Sequence, residues 1–223
     1  MTPASFVQQL CAVSLENVFN PYADRCGVHD LKNAPALRAR SLGLILDVAA
    51  HRGVDAIWIG RDLGYRGGRR TGLALTDDVH LGVHSSRWGV EASRPTTGEV
   101  IKERTAAVIW GSLQGIPRPI FLWNVFPFHP HEPGEPFSNR AHTNAERKIG
   151  EEILWELIRL LRPGRIVAIG NDAARTMSTA SITAYQVRHP SYGGQAQFSR
   201  QIRELYGLDM APELAHAAEF RRY

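Results

Sequence analysis

The sequence predicts a single α/β/α sandwich on a central, mainly parallel four-stranded sheet, and two observations carry that prediction. Short, wholly apolar runs alternate with longer stretches of helical periodicity, and the apolar runs stop at polar, loop-forming sequence. Strands buried on both faces read as continuous hydrophobic runs, and strands that alternate with helices form a parallel sheet covered on both sides.

The elements follow in order. Asn33 can cap a helix in which Leu37, Leu42, Leu44, Ile45, Val48 and Ala49 recur at helical spacing, ending near Arg52 and Gly53. Ala56-Ile57-Trp58-Ile59-Gly60 is the first strand and opens into a loop rich in glycine and arginine. A helix from about Gly98 to Leu113 precedes the second strand, Pro119 to Val125, which carries Asn124 at its carboxyl end. Phe126 to His142 holds four prolines and no periodic pattern, and Thr143 with Glu146 then forms a capping box for a helix through Leu161. Arg165 to Gly170 is the third strand, Asn171 starts a helix, Ile182 to Arg188 is the fourth strand, and a last helix spans Gln195 to Tyr206. No internal repeat or linker divides residues 1–223, so one domain is expected.

With 43% hydrophobic residues the chain can bury one substantial core. No apolar run approaches the roughly 18 residues of a membrane span, and no basic stretch followed by an apolar block opens the chain, so a cytoplasmic monomer is expected. Cys11 and Cys26 are the only cysteines, too few for a four-cysteine zinc or iron-sulfur site, and no cofactor is expected. The net charge of +4 is mild, but six arginines fall between Arg61 and Arg94, whereas acidic residues such as Glu151, Glu152 and Glu156 lie on a later helix. The local basic charge suits a polyanion. The glycine-rich loop lacks the Gly-Lys-Ser/Thr ending of a nucleotide-binding P-loop, which excludes that ATPase class.

Ligands of open α/β sheets bind outside the carboxyl ends of the strands, so the loops after Gly60, Asn124 and Arg188 should meet at one site. These loops read Gly60-Arg61-Asp62-Leu63-Gly64-Tyr65 continuing to Gly72-Leu73-Ala74-Leu75-Thr76, then Leu122-Trp123-Asn124, then His189-Pro190-Ser191. In this order they resemble the uracil-DNA glycosylase superfamily, in its branch without an iron-sulfur cluster. The resemblance spans roughly Ile57 to Gly194. It implies an enzyme that flips uracil out of DNA and hydrolyses its bond to the sugar, with uracil-containing DNA as partner.

The resemblance also implies roles. Asp62 positions water and stabilises positive charge on the sugar, Asn124 reads the base edge through its amide, and His189 donates to uracil O2 as the base departs. Gly60, Gly64 and Leu75 border the base, while Ser191, Tyr192 and Gly193 approach the DNA, Tyr192 as a wedge. Arg69 and Arg70, beside Gly67 and Gly68, could neutralise phosphates, or form a solvated basic turn. Leu63 stands where the family has proline, Gly64 where its best-known branch has a tyrosine beside uracil C5, and Leu75 where that branch has a stacking phenylalanine. Gly64 should leave room for a methyl or larger group. The alternatives are a damage binder or covalent trap that uses the same pocket, and a metal-dependent hydrolase built on His129, His131 and His142 with Glu132 nearby.

Overall fold

A computed structural model describes residues 1–208. In chain order the elements are α1 (Pro3–Ala12), β1 (Val18–Phe19), α2 (Ala34–Arg52), β2 (Ala56–Asp62), α3 (Gly68–Thr71), α4 (Leu81–Arg87) and α5 (Arg104–Leu113). These are followed by β3 (Ile120–Phe126), β4 (His129–Pro130), α6 (Asn144–Leu161), β5 (Arg165–Ile169), α7 (Asn171–Thr179), β6 (Tyr185–Val187) and α8 (Gln195–Tyr206). The last residues of the predicted domain, 209–223, lie outside the described residues.

The central sheet has the order β3-β2-β5-β6, and every neighbouring pair is parallel. Alternate side chains divide the core between its two faces, as the pleat requires. Ile57, Ile59, Phe121, Trp123, Ile166 and Ala168 pack with α1, α2, α6 and α7, whereas Ala56, Trp58, Ile120, Leu122, Val167 and Val187 pack with α5 and α8. Each of the larger aliphatic and aromatic side chains among these contributes about 1.5–3 kcal/mol on burial, so both faces must be covered. This is the sandwich that the apolar runs predict. Among the described residues, no helix is long and apolar enough to cross a membrane.

Departures from the sequence reading are local. β2 continues beyond Gly60 to Asp62, because Asp62 pairs with Phe126 of β3. α5 starts at Arg104 rather than near Gly98, because Asp78 and Asp77 take the backbone N–H groups of Ile101 and Glu103 and hold the preceding segment open. β6 is confined to three residues. Within the segment without periodicity, β4 pairs antiparallel with β1, and this two-residue ladder ties the N-terminal segment to the loop that follows β3. Asn33 stands at the start of α2, but its side chain makes no capping bond. Thr143 and Glu146 do form the reciprocal capping box of α6.

Candidate active site

The carboxyl ends of β2 and β3 lie side by side, and the register sets Gly60 opposite Asn124. Asn124 is 1% exposed; its Nδ2 donates to the backbone carbonyl of Asp62 at 3.1 Å. That carbonyl needs a donor, which fixes the amide's orientation. The other end of the amide, Oδ1, is buried and has no hydrogen-bond partner. Leaving a buried acceptor unpaired costs about 1–3 kcal/mol, so this atom marks a place where a donor is missing.

Gly60 is required by close approach. A Cβ there would lie 2.8 Å from Asn124 Nδ2 and 3.1 Å from Leu75 Cδ2. Leu75 therefore borders the same site, on a left-handed backbone (φ 54°) whose carbonyl accepts from Trp110 Nε1 at 3.2 Å.

Asp62 ends β2 with both carboxylate oxygens engaged. Arg61 Nε donates to Oδ2 at 2.7 Å, and His142 Nδ1 donates to Oδ1. Both side chains of the Asp62–His142 pair are largely buried, and the His142 ring lies against Phe126 with centroids 6.0 Å apart. A carboxylate can only accept, so His142 Nδ1 carries the proton of this bond. Leu63, in place of proline, keeps its N–H and donates it to the Phe128 carbonyl at 3.2 Å, while its side chain is buried.

His189 follows β6. Its Nδ1 accepts from the Ser191 N–H at 3.1 Å and faces the Ser191 hydroxyl at 2.7 Å. An N–H can only donate, so Nδ1 is unprotonated and the neutral ring carries its proton on Nε2. Burial, then the positive charges of Arg61 and Arg188, lower the His189 pKa from its ordinary 6.5 and favour that neutral form. Tyr192 in the same loop is 96% exposed on a left-handed backbone (φ 51°), beside Gly193.

Two expectations change. Arg69 and Arg70 do not form a solvated or phosphate-facing turn; they belong to α3 and are 4% and 5% exposed. Arg69 lies between the rings of Phe19 and Phe137, its guanidinium carbon 4.0 and 5.0 Å from their centroids. Arg70 gives two hydrogen bonds to Asp78 Oδ2, at 2.9 and 2.7 Å, and one to Thr96. Nor is the space beside Gly64 open, since Glu103 Oε1 lies 3.2 Å from where a Cβ would stand. Burial, reinforced by the nearby negative charge of Asp77, pushes the Glu103 carboxyl up to about 7.

The structure thus joins Gly60, Asp62, Leu75 and Asn124 directly. His189, Ser191, Tyr192 and Gly193 follow β6, two strands from β2 across the sheet. The three histidines of the metal alternative are spent elsewhere: His129 Nε2 donates to the Ser138 carbonyl, His131 Nδ1 to the Glu132 carbonyl and His142 to Asp62. Among the described residues, no group of three or more metal-ligating side chains converges. The partnership of His142 with Asp62 escaped the sequence reading because the residues are eighty positions apart; the one local signal is that His142 directly precedes the capping box of α6.

Comparisons with known proteins bear on the family and the fold. The family model described as "Uracil DNA glycosylase superfamily" matches residues 54–206. No curated protein matches the chain. Among solved structures, the chain is similar to the crystal structure of wild-type Pedobacter heparinus SMUG2, with a TM-score of 0.61 and 14% identity over 93% of this chain and 97% of that one. At that identity the likeness concerns the fold.

Proposed function

The chain belongs to the uracil DNA glycosylase superfamily, and on that premise we propose that it is a monofunctional glycosylase that releases uracil from DNA by hydrolysis. The observation that carries this reading is the unpaired Oδ1 of Asn124. With Nδ2 tied to the Asp62 carbonyl, Oδ1 is fixed as an acceptor for the imide N3–H of a flipped uracil, and the second Nδ2 hydrogen suits the adjacent O4. Cytosine offers an acceptor at N3 and an amino donor at C4, so it meets this amide with the wrong pattern.

The other groups supply the chemistry. His189 Nε2–H is a donor for uracil O2, where negative charge grows as the glycosidic bond breaks and the electron pair leaves with the base. Asp62 offers a fixed negative charge to the oxocarbenium-like sugar. Water then adds to C1′, and its proton passes to the Asp62 carboxylate, leaving an abasic site. His142 holds that carboxylate in one orientation. Tyr192, exposed at the mouth of the third loop, is suited to enter the base stack vacated by the flipped nucleotide.

The test is incubation of the protein with oligonucleotides that carry one uracil, followed by alkali. Strand cleavage that falls with Asp62→Asn and His189→Ala is expected. If the folded protein releases no uracil from single- or double-stranded DNA, the reading fails.

A further inference from the structure

With Arg69 and Arg70 buried, the basic charge available to DNA must lie elsewhere. A small cavity of about 240 Å³ opens beside the Asp62–His142 pair, and its wall includes Arg61, His142, Asn144, Arg147, Asp172, Arg175 and Thr176. Three arginines thus line one opening, together with one carboxylate that Arg61 already holds. Arg61 is bound to Asp62 and, at 3.0 Å, to Asp172, and Arg147 pairs with Glu151 one turn along α6. Arg175 is exposed, with no partner among the described residues. The carboxylates in contact with this group are Asp62, Asp172 and Glu151, and the first of these is also bonded to His142.

We infer that this cavity is the seat of an internucleotide phosphate of the DNA strand next to the flipped nucleotide. The size suits one phosphodiester group, and the polar residues Asn144 and Thr176 line the cavity beside the arginines. Planar guanidinium groups match phosphate oxygens in pairs, and such contacts set the register of the strand without reading its sequence. The location gives the contact its purpose. One wall is His142, which holds Asp62, so a phosphate clamped here places the adjoining sugar against the carboxylate. Its ligand rests on the glycosylase reading; the arginine-lined cavity does not.

The experiment measures binding of the full chain to a fluorescent duplex containing a stable abasic-site analogue, as a function of salt. Arg147→Gln with Arg175→Gln is compared with Arg52→Gln and Arg159→Gln, which remove the same charge at the opposite end of the sheet, at the C-terminal ends of α2 and α6. Loss of one phosphate contact should weaken binding roughly 10- to 100-fold and lower the log–log salt slope by about 1. The control pair should leave the slope unchanged, and thermal melts should be similar for both pairs.

An unchanged slope in the Arg147/Arg175 pair overturns the inference. So does a pair that loses competition by inorganic phosphate while keeping the wild-type DNA slope, since the cavity would then hold a free anion only. Uracil release by the wild type is assayed in parallel. If release is absent while the slope still falls, the glycosylase reading fails and the phosphate site stands; the reverse pattern removes the site alone.

Discussion

The carboxylate of Asp62, at the end of one strand, receives a hydrogen bond from Nδ1 of His142, which stands just ahead of the helix that packs behind the neighbouring strand. Replacing Asp62 with Asn should lower single-turnover uracil release by about 10²–10⁴-fold, the range of general acid–base and charge contributions. His142→Gln removes one charge-assisted bond and should lower the rate about 10- to 100-fold with little change in KM. Equal losses in the single variants and the double variant would mean that the two residues work as one unit.

The pairing of Gly60 with Asn124 yields a steric prediction. In Gly60→Ala the new methyl would sit 2.8 Å from the Asn124 amide nitrogen, so the amide must move. Overpacking of this kind costs about 1–3 kcal/mol. Displacing a positioning group by a fraction of an ångström to an ångström should slow release by up to about 100-fold. A thermal melt and a rate measurement check both, and full activity in the Gly60→Ala variant would remove Asn124 from base recognition.

The buried histidines predict acid sensitivity. Burial lowers the pKa of His84 to about 3 and that of His129 to about 4, from an ordinary 6.5, and His189 is shifted in the same direction. Below pH 6.5 the unfolded chain therefore binds more protons than the folded one. Stability must fall as the pH drops through that value, and go on falling until the folded-state pKa of each ring is passed. Denaturant unfolding between pH 7 and pH 4 should record the loss. In activity, the acid limb due to His189 should lie below pH 6.5, and Arg188→Gln, which removes a repelling charge, should move it toward neutrality.

Arg70 is predicted to matter for folding and not for DNA. Arg70→Met strands the buried Asp78 carboxylate, a loss on the order of 3–5 kcal/mol for a broken buried pair. Urea unfolding should show it, while the salt slope of DNA binding by the remaining folded protein stays at the wild-type value. A lowered slope would put Arg70 at the interface after all.

What the sequence made legible follows from the range over which each cause acts. Strands β2, β3 and β5 were readable because burial on both faces leaves apolar runs, as in Ile57 to Ile59, Ile120 to Trp123 and Ile166 to Ile169, whereas β6 exposes Tyr185 and Gln186 and is shorter than the run Ile182 to Arg188 suggests. Asn124 stood out as the one polar side chain closing such a run. The last two residues of β2 were not readable, since Arg61 and Asp62 are polar and become strand only through the partner Phe126. Arg69 and Arg70 read as a phosphate-facing or solvated turn because their surroundings, Phe19, Phe137, Asp78 and Thr96, come from other parts of the chain. Glu103, filling the space beside Gly64, escaped for the same reason.

The short ladder between β1 and β4 has a further consequence. The matched family region begins at residue 54, yet the molecule cannot be cut there without opening it. Phe6, Leu10, Leu42 and Ile45 share one packed cluster with Phe121 and Trp123, and the Tyr22 hydroxyl donates to the Gly72 carbonyl at 2.8 Å. The Asn17 carbonyl receives His131 N–H and Arg140 Nη2, so the N-terminal segment also anchors the stretch that delivers His142. The packed unit is therefore larger than the region that the family model matches, and the N-terminal quarter acts as a built-in brace for the candidate site carried by the rest.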